Sequence, residues 1–104
     1  MEEEQQQAAR DFFLSSLDRA LDTYGSAVRT VVYYELKKSF GVAREDIPLK
    51  PDILEKTIDK IFGLGGEAVK RVILRELEVS SGIKDLAKQE LVTAIRTAYH
   101  SRLV

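Results

Sequence analysis

A repeat at a spacing of 41 residues is the feature that most constrains how this chain can fold. Residues 11–42 align with residues 52–83 without a gap, and 10 of the 32 aligned pairs are identical, whereas composition alone would give about two. The identical pairs are Asp11/Asp52, Asp18/Asp59, Gly25/Gly66, Ala27/Ala68, Val28/Val69, Val31/Val72, Glu35/Glu76, Leu36/Leu77, Ser39/Ser80 and Gly41/Gly82. Conservative pairs such as Arg19/Lys60 and Arg29/Lys70 extend the match. The chain is therefore predicted to contain two copies of one unit.

The pattern within each copy is helical. Apolar residues recur at the 3.6-residue period of an amphipathic helix, and sustained alternation typical of strands is missing from the sequence. Glycines follow the periodic stretches, where they commonly end helices. The spacing predicts helices over about residues 4–24, 26–40, 51–62, 67–80 and 84–102. In the first of these helices, Tyr24 is expected to face inward with Phe13, Leu17 and Leu21.

These helices predict an all-α fold in one domain, residues 1–104. Each hairpin has an apolar face that it cannot bury alone, so we expect a five-helix, bundle-like domain. It would consist of two duplicated helical hairpins plus a closing C-terminal helix. The second helix has the widest apolar arc and is expected to lie centrally. In the linker that follows, Pro48 is expected to push Ile47 toward extended geometry.

The composition argues against several kinds of chemistry. The chain has no cysteine and one histidine, and 16 Lys and Arg residues nearly balance 17 Asp and Glu residues. Thiolate nucleophiles, Cys-based zinc sites and paired-His metal sites are therefore not expected, and we predict no catalytic residue, metal or cofactor. The balanced charge gives no overall attraction to nucleic acid. An acidic start and the lack of a long apolar run predict a cytoplasmic protein with no membrane contact.

Glu35 and Glu76 are the best candidates for a buried polar or ligand-binding pair. Each lies within an apolar helical arc, and the two occupy equivalent positions in the repeat. A carboxylate buried in such an arc needs a partner. One interpretation is a pair of facing carboxylates for metal or acid–base chemistry. The other is that each accepts a hydrogen bond from Tyr24, Tyr99, an arginine or a helix N-terminus.

Three aromatic residues are candidates for contact with a protein partner. Tyr33 and Tyr34 are adjacent and point about 100° apart on a helix, so we expect that both cannot be fully buried. Phe12 projects away from the predicted inward face of the first helix. The alternative for all three is ordinary packing, and the repeat mate Ile53 suggests that for Phe12.

Two further features have weaker functional interpretations. The turn Gly63–Gly66 precedes a helix and could offer N–H groups to an anion, but a tight helix connection is favoured. Helices 3 and 4 could form a helix-turn-helix with Lys70, Arg71 and Arg75 facing DNA, although neighbouring glutamates dilute that patch. His100 lies on a polar face with no nucleophile near it in sequence, and no role is expected for it.

The residues 32–36 and 40–41, the stretch Glu45-Asp46-Ile47-Pro48, Pro51, and the residues 61–63 and 66 resemble a small archaeal helical family. That family is described as an output domain of the Nitrosopumilus type and has no assigned activity. The resemblance covers most of the chain, from about helix 1 to Ile83. It implies an archaeal source and a part in signal-linked protein interactions, and it carries over no catalytic residue.

The function expected from these observations is a non-catalytic protein-interaction module that associates with a partner protein or with itself. Two alternatives remain open. One is a DNA-binding transcriptional regulator that uses helix 4. The other is a small-ligand or metal-binding helical bundle that uses Glu35 and Glu76.

Overall fold

A computed structural model describes residues 2–103 as five α-helices joined by turns and 3-10 helices. The α-helices are α1 (Glu2–Asp22), α2 (Ser26–Phe40), α3 (Pro51–Phe62), α4 (Gly66–Ser81) and α5 (Leu91–Ser101). Three 3-10 helices span Arg44–Leu49, Gly63–Gly65 and Leu86–Lys88. Residues 2–103 contain no strand, so the predicted all-α class with five helices is confirmed.

Two helices end at glycines in the left-handed conformation. Gly41 after α2 has φ 68°, and Gly82 after α4 has φ 71°. The N–H of Gly82 donates to the carbonyl of Glu78, and that of Gly41 donates to the carbonyl of Lys37. Glycine adopts this backbone without the steric cost that a Cβ would impose, which explains why both stops were visible in the sequence.

The central helix is α1, and the prediction that α2 lies centrally is wrong. Seven residues of α1 are buried, whereas only Val32 and Leu36 are buried on α2. The most extensive helix–helix packing joins α1 to α4, and α1 also contacts α2 and α5. The main neighbours of α2 are α1, α3 and the 3-10 helix Arg44–Leu49, and part of its wide apolar arc is exposed.

The fifth helix begins later than the periodicity predicted. Residues 84–90 form a turn and a 3-10 helix, and α5 starts at Leu91. Asp85 has φ 64°, outside the right-handed helical region, and Glu90 is extended. Leu86 is fully buried within this irregular segment, and Ala87 is half-buried. The four-residue spacing of Ala87 and Leu91 therefore reflects packing against the core and not a continuous helix.

The expectation of extended geometry at Ile47 is also wrong. Ile47 and Pro48 lie inside the 3-10 helix Arg44–Leu49, and both are buried. The N–H of Lys50 donates to the Ile47 carbonyl at 2.9 Å. Burial of Ile47 in the core, where it is fully covered, outweighs the local preference of a residue that precedes proline.

The core lies between the five α-helices and also includes residues of two 3-10 helices. Its largest fully buried side chains are Phe13, Leu17, Leu21, Leu36, Ile47, Leu54, Ile58, Ile73, Leu77, Leu86, Ile95 and Val32. Tyr24, which was expected to face inward, is exposed because α1 ends two residues before it. The radius of gyration is 12.8 Å, as expected for a compact chain of about 100 residues.

Candidate interaction surface

Glu35 lies on α2 and binds a lysine from the neighbouring helix. Lys60 of α3 forms an ion pair with Glu35 Oε1, and the Ser39 hydroxyl donates to the same oxygen at 2.5 Å. Lys60 Nζ also lies 3.1 Å from Ser39 Oγ. The hydrogen bonds from Lys60 and Ser39 hold the pKa of Glu35 below its usual value, so this carboxylate is ionised near neutral pH and already has its cation.

Glu76 has the corresponding arrangement on α4. Arg19 Nε of α1 donates to Glu76 Oε1 at 2.6 Å, and Arg19 Nη2 donates to Ser80 Oγ at 2.8 Å. Arg19 and Lys60 are repeat mates, as are Glu35 and Glu76, and Ser39 and Ser80. The same three-residue arrangement therefore joins α2 to α3 and α4 to α1.

The two glutamates thus lie in two separate ion pairs between helices. Glu76 has the arginine partner that one interpretation named, whereas Glu35 binds a lysine, which that interpretation did not include. Within residues 2–103, no group of three or more His, Cys, Asp or Glu side chains is placed to hold a metal ion.

Tyr33 is partly buried and binds Asp18 of α1. Its hydroxyl donates to Asp18 Oδ1 at 2.5 Å, while Arg44 Nη2 donates to Asp18 Oδ2 at 2.5 Å. The Arg44 guanidinium also lies 5.7 Å from the centre of the Tyr33 ring. Burial, together with the negative charge of Asp18, raises the pKa of Tyr33 above its usual value. Tyr33 therefore connects α2 to α1 and to the segment after α2, and little of it is available to a partner.

Phe12 is covered on one face by the C-terminal end of the described chain. The Arg102 guanidinium carbon lies 3.9 Å from the centre of the Phe12 ring, and Arg102 Nη2 donates to the Ser80 carbonyl at 3.2 Å. This cation–π contact occupies the ring face that could otherwise meet a partner. Ile53, the repeat mate of Phe12, is also partly buried against the core.

Tyr34 is the one of the three candidate aromatic residues that is exposed, at 61%. Val31 is 50% exposed, and Ala27 is exposed as well. Spacings of four and three residues put Ala27, Val31 and Tyr34 on one face of α2. Among residues 2–103 no helix covers that face, so α2 presents an exposed apolar stripe.

A shallow groove adjoins this stripe where α2 meets the end of α3. It has a volume of about 160 Å³ and is lined by Ala27, Val28, Val31, Ile61 and Phe62. All five lining residues are apolar. We call the stripe and groove together the α2 surface, which consists of Ala27, Val28, Val31, Tyr34, Ile61 and Phe62.

Helix α4 does not present a free basic face of the kind that DNA binding would use. The Lys70 side chain is only 11% exposed, and its Nζ lies 2.8 Å from Asp59 Oδ1 and 3.2 Å from Glu67 Oε1. Although its burial acts in the opposite direction, hydrogen bonds to these two carboxylates raise the pKa of Lys70. Arg71 and Arg75 are exposed on the same helix, but the third cation of the predicted patch is neutralised within the protein.

The glycine turn forms a 3-10 helix, Gly63–Gly65, that runs directly into α4. Leu64 at its centre is fully exposed, so the turn is the tight connection favoured from the sequence. His100 is exposed near the end of α5, with its ring 6.0 Å from that of Tyr99. Neither feature contributes to the α2 surface.

The α2 surface was only partly visible in the sequence. Tyr34 was identified as a contact candidate, whereas Val31, Ile61 and Phe62 were not. A wide apolar arc indicates burial when neighbours exist on both sides, and the sequence does not state how many neighbours a helix has. The ion-pair cations could have been found, because Arg19 and Lys60 repeat at the same offset as Glu35 and Glu76.

Comparisons with protein-family models, with curated proteins and with solved structures found no match to this chain. Within residues 2–103, no helix combines the length and the apolar character that crossing a membrane requires.

Proposed function

We propose that this protein is a non-catalytic interaction module that binds a protein partner through the α2 surface. The observation that carries the proposal is the exposed apolar stripe of Ala27, Val31 and Tyr34 beside an apolar groove. Contiguous exposed apolar area of this kind marks interaction sites on soluble domains. The stripe ends in an exposed tyrosine, a residue type that is enriched among those that dominate binding energy.

The ionic groups support the same proposal, because they are used to hold helices together. Glu35, Glu76 and Lys70 each bind side chains on other helices, and the buried hydroxyls of Ser16 and Thr57 donate to carbonyls of their own helices. The ion pairs therefore connect α1 to α4, α2 to α3 and α3 to α4. The exposed apolar area of α2 is left as the candidate contact surface.

As part of this proposal, we infer that hairpins α1–α2 and α3–α4 are two copies of one design. The reciprocal ion pairs Arg19–Glu76 and Lys60–Glu35 support it, since exchanging each residue for its repeat mate converts one pair into the other. The left-handed glycines Gly41 and Gly82 also correspond. The turns within the hairpins differ, because Gly25 has φ 104° and its mate Gly66 is right-handed helical.

The resemblance to the archaeal output-domain family belongs to the proposal as well. It would make the α2 surface the part of a signalling protein that passes a signal to a partner in the cytoplasm. The absence of cysteine and the nearly balanced charge are typical of the cytoplasm and support that location. Cell fractionation with an antibody against the protein tests it.

Site-specific photo-crosslinking in cells that make the protein natively tests the proposed function. A benzophenone-bearing amino acid at Tyr34 is expected to give a crosslinked protein adduct that mass spectrometry can identify. The same group at Val79, an exposed apolar residue of α4, is the matched control and is expected to give none. Equal adducts at both positions, or none at Tyr34, would contradict the proposal. Salt-sensitive retention on DNA that depends on Arg71 and Arg75 would favour the regulator instead.

A further inference from the structure

We infer that the occupant of the α2 surface is a second copy of this chain, with two α2 helices packed antiparallel about a two-fold axis beside Val31. The inference rests on the proposed function, because it names the partner of the same surface. Most soluble oligomers have such closed two-fold symmetry, in which one patch is complementary to itself.

The shape of the α2 surface is self-complementary. Ala27 lies four residues before Val31 and Tyr34 lies three residues after it, so the small and the large side chain are nearly equidistant from the axis. An antiparallel pairing places Tyr34 of each copy over Ala27 of the other. The groove beside Ala27 has about 160 Å³, and an apolar cavity of about 150 Å³ accommodates benzene. The groove is therefore large enough for the tyrosine ring of a second copy.

The Tyr34 side chain is restrained by a neighbouring lysine. Lys38, one turn further along α2, has its Nζ 5.6 Å from the centre of the Tyr34 ring. A side chain that is already restrained loses less conformational freedom on binding. The other face of the ring is left for the partner.

The charges along α2 favour the antiparallel arrangement over a parallel one. Lys37 and Lys38 lie at the C-terminal end of α2, and within residues 2–103 neither forms an ion pair with a carboxylate. Asp22 lies just before the N-terminal end of α2. Its side chain is 42% exposed and its Oδ1 lies 3.4 Å from Arg29 Nε, so a lysine of a second copy would join an existing ion pair. Antiparallel packing brings the lysines of each copy toward Asp22 of the other, whereas parallel packing would bring the lysines together. The net charge of −1 gives no long-range repulsion between copies.

The repeat supplies an internal contrast. On α4 the mates of Ala27 and Val31 are Ala68 and Val72, but the mate of Tyr34 is Arg75. An arginine at this position cannot enter an apolar groove without leaving its charge unpaired. Self-association is thus expected through α2 and not through α4.

The size of the α2 surface sets the expected affinity. Stable protein complexes bury about 800 Å² on each partner, and one face of a 15-residue helix with a shallow groove offers less. The dimer is therefore weak, with an expected dissociation constant of about 0.01–1 mM.

Sedimentation equilibrium of the full chain from about 10 µM to about 2 mM, which brackets this range, tests the inference. The wild type is expected to move from monomer toward dimer as the concentration rises. Val31→Glu and Tyr34→Ala are expected to weaken the dimer at least tenfold. Val79→Glu on α4 is the matched control for a charge at an exposed valine and is expected to behave as the wild type. Circular dichroism establishes that each variant is folded.

A charge exchange tests the antiparallel geometry. Lys38→Glu and Asp22→Lys are each expected to weaken the dimer, and the double variant is expected to recover at least part of the loss. A wild type that stays monomeric throughout, or a Val79→Glu variant that dissociates as readily as Val31→Glu, would overturn the inference. If the chain is monomeric but Tyr34 crosslinks to a different protein, this inference fails and the proposed function stands. If Tyr34 gives no crosslink to any protein, the proposed function fails with it.

Discussion

Asp18 joins three segments of the chain at a single carboxylate. Tyr33 of α2 donates to one oxygen, and Arg44 of the following 3-10 helix donates to the other. Arg29 of α2 lies within 3.8 Å of the same side chain. A partly buried carboxylate is stable when several donors satisfy it, so the loss of one donor should weaken the site without abolishing it.

Tyr33→Phe is expected to lower the free energy of unfolding by about 1 kcal/mol, the net value of one hydrogen bond of this kind. The raised pKa of Tyr33 means that the folded protein disfavours tyrosinate. The stability that Tyr33 contributes is thus complete below the unfolded pKa of about 10 and is lost as the pH rises above it. Urea unfolding at pH 7 and at higher pH should show a steeper alkaline loss for the wild type than for Tyr33→Phe.

Tyr34→Phe is the control for this prediction, because it removes the same hydroxyl from the neighbouring, exposed residue. It is expected to leave the unfolding free energy at pH 7 within about 0.5 kcal/mol of the wild type. An equal loss in both variants would show that the bond from Tyr33 to Asp18 does not stabilise the fold.

The ends of the elements depend on backbone geometry at a few glycines. Gly82 is left-handed, whereas Gly65 has φ −73°, which any residue adopts. A Cβ at Gly82 would meet nothing within 4 Å, and one at Gly65 would come no closer than 3.9 Å to Phe62 Cβ. The two sites therefore differ in backbone conformation and not in available space.

Gly82→Ala is expected to destabilise the protein by about 1–2 kcal/mol, because a Cβ in the left-handed region clashes with its own backbone. Gly65→Ala is expected to be neutral or to stabilise by up to about 1 kcal/mol, since it only restricts the unfolded chain. Thermal unfolding of both variants measures whether each substitution lowers or raises the stability. A stabilised Gly82→Ala protein would contradict the helix end described for α4.

The reciprocal ion pairs predict matching couplings between elements. A double-mutant cycle with Arg19→Ala and Glu76→Ala is expected to give a favourable coupling of about 0.5 kcal/mol, typical of an exposed pair. A cycle with Lys60→Ala and Glu35→Ala is expected to have the same sign. Chemical denaturation measures both, and couplings of opposite sign would argue against a duplicated hairpin.

The sequence predicted the bounds of the helices more reliably than it predicted which helices pack against each other. The bounds of α2 and α3 follow from Gly41 and Pro51, because these residues act locally on the backbone. The start of α5 was misplaced because Ala87, four residues before Leu91, continues the helical period from within an irregular segment. The exposure of Val31 could not be predicted, since it depends on how many helices pack around α2, which no local pattern encodes.

At the scale of the whole molecule, α5 joins the two hairpins into one structure. It contacts α1, α3 and α4, and Ile95 at its centre is fully buried. Ile95 lies 41 residues after Leu54, which lies 41 residues after Phe13, and all three are fully buried. The 41-residue spacing of the repeat therefore extends to a buried position of α5.

Ile95→Ala is expected to lower the free energy of unfolding by about 2–5 kcal/mol, because it leaves a cavity among three helices. Ile95→Val is the graded control, with an expected loss of about 0.5–1.5 kcal/mol. Both variants should still unfold in one transition by circular dichroism and by tyrosine fluorescence. Separate transitions for the two probes would show that the hairpins unfold independently.

The scant anchoring of α2 has a consequence for how a partner can be detected. Two buried side chains fasten α2, compared with seven on α1, so α2 should open to solvent at a lower free energy than the rest of the core. Its amide hydrogens would then exchange with deuterium first in the isolated protein. Any molecule bound to α2 would slow that exchange selectively. Hydrogen exchange of the α2 amides would therefore detect a bound partner directly.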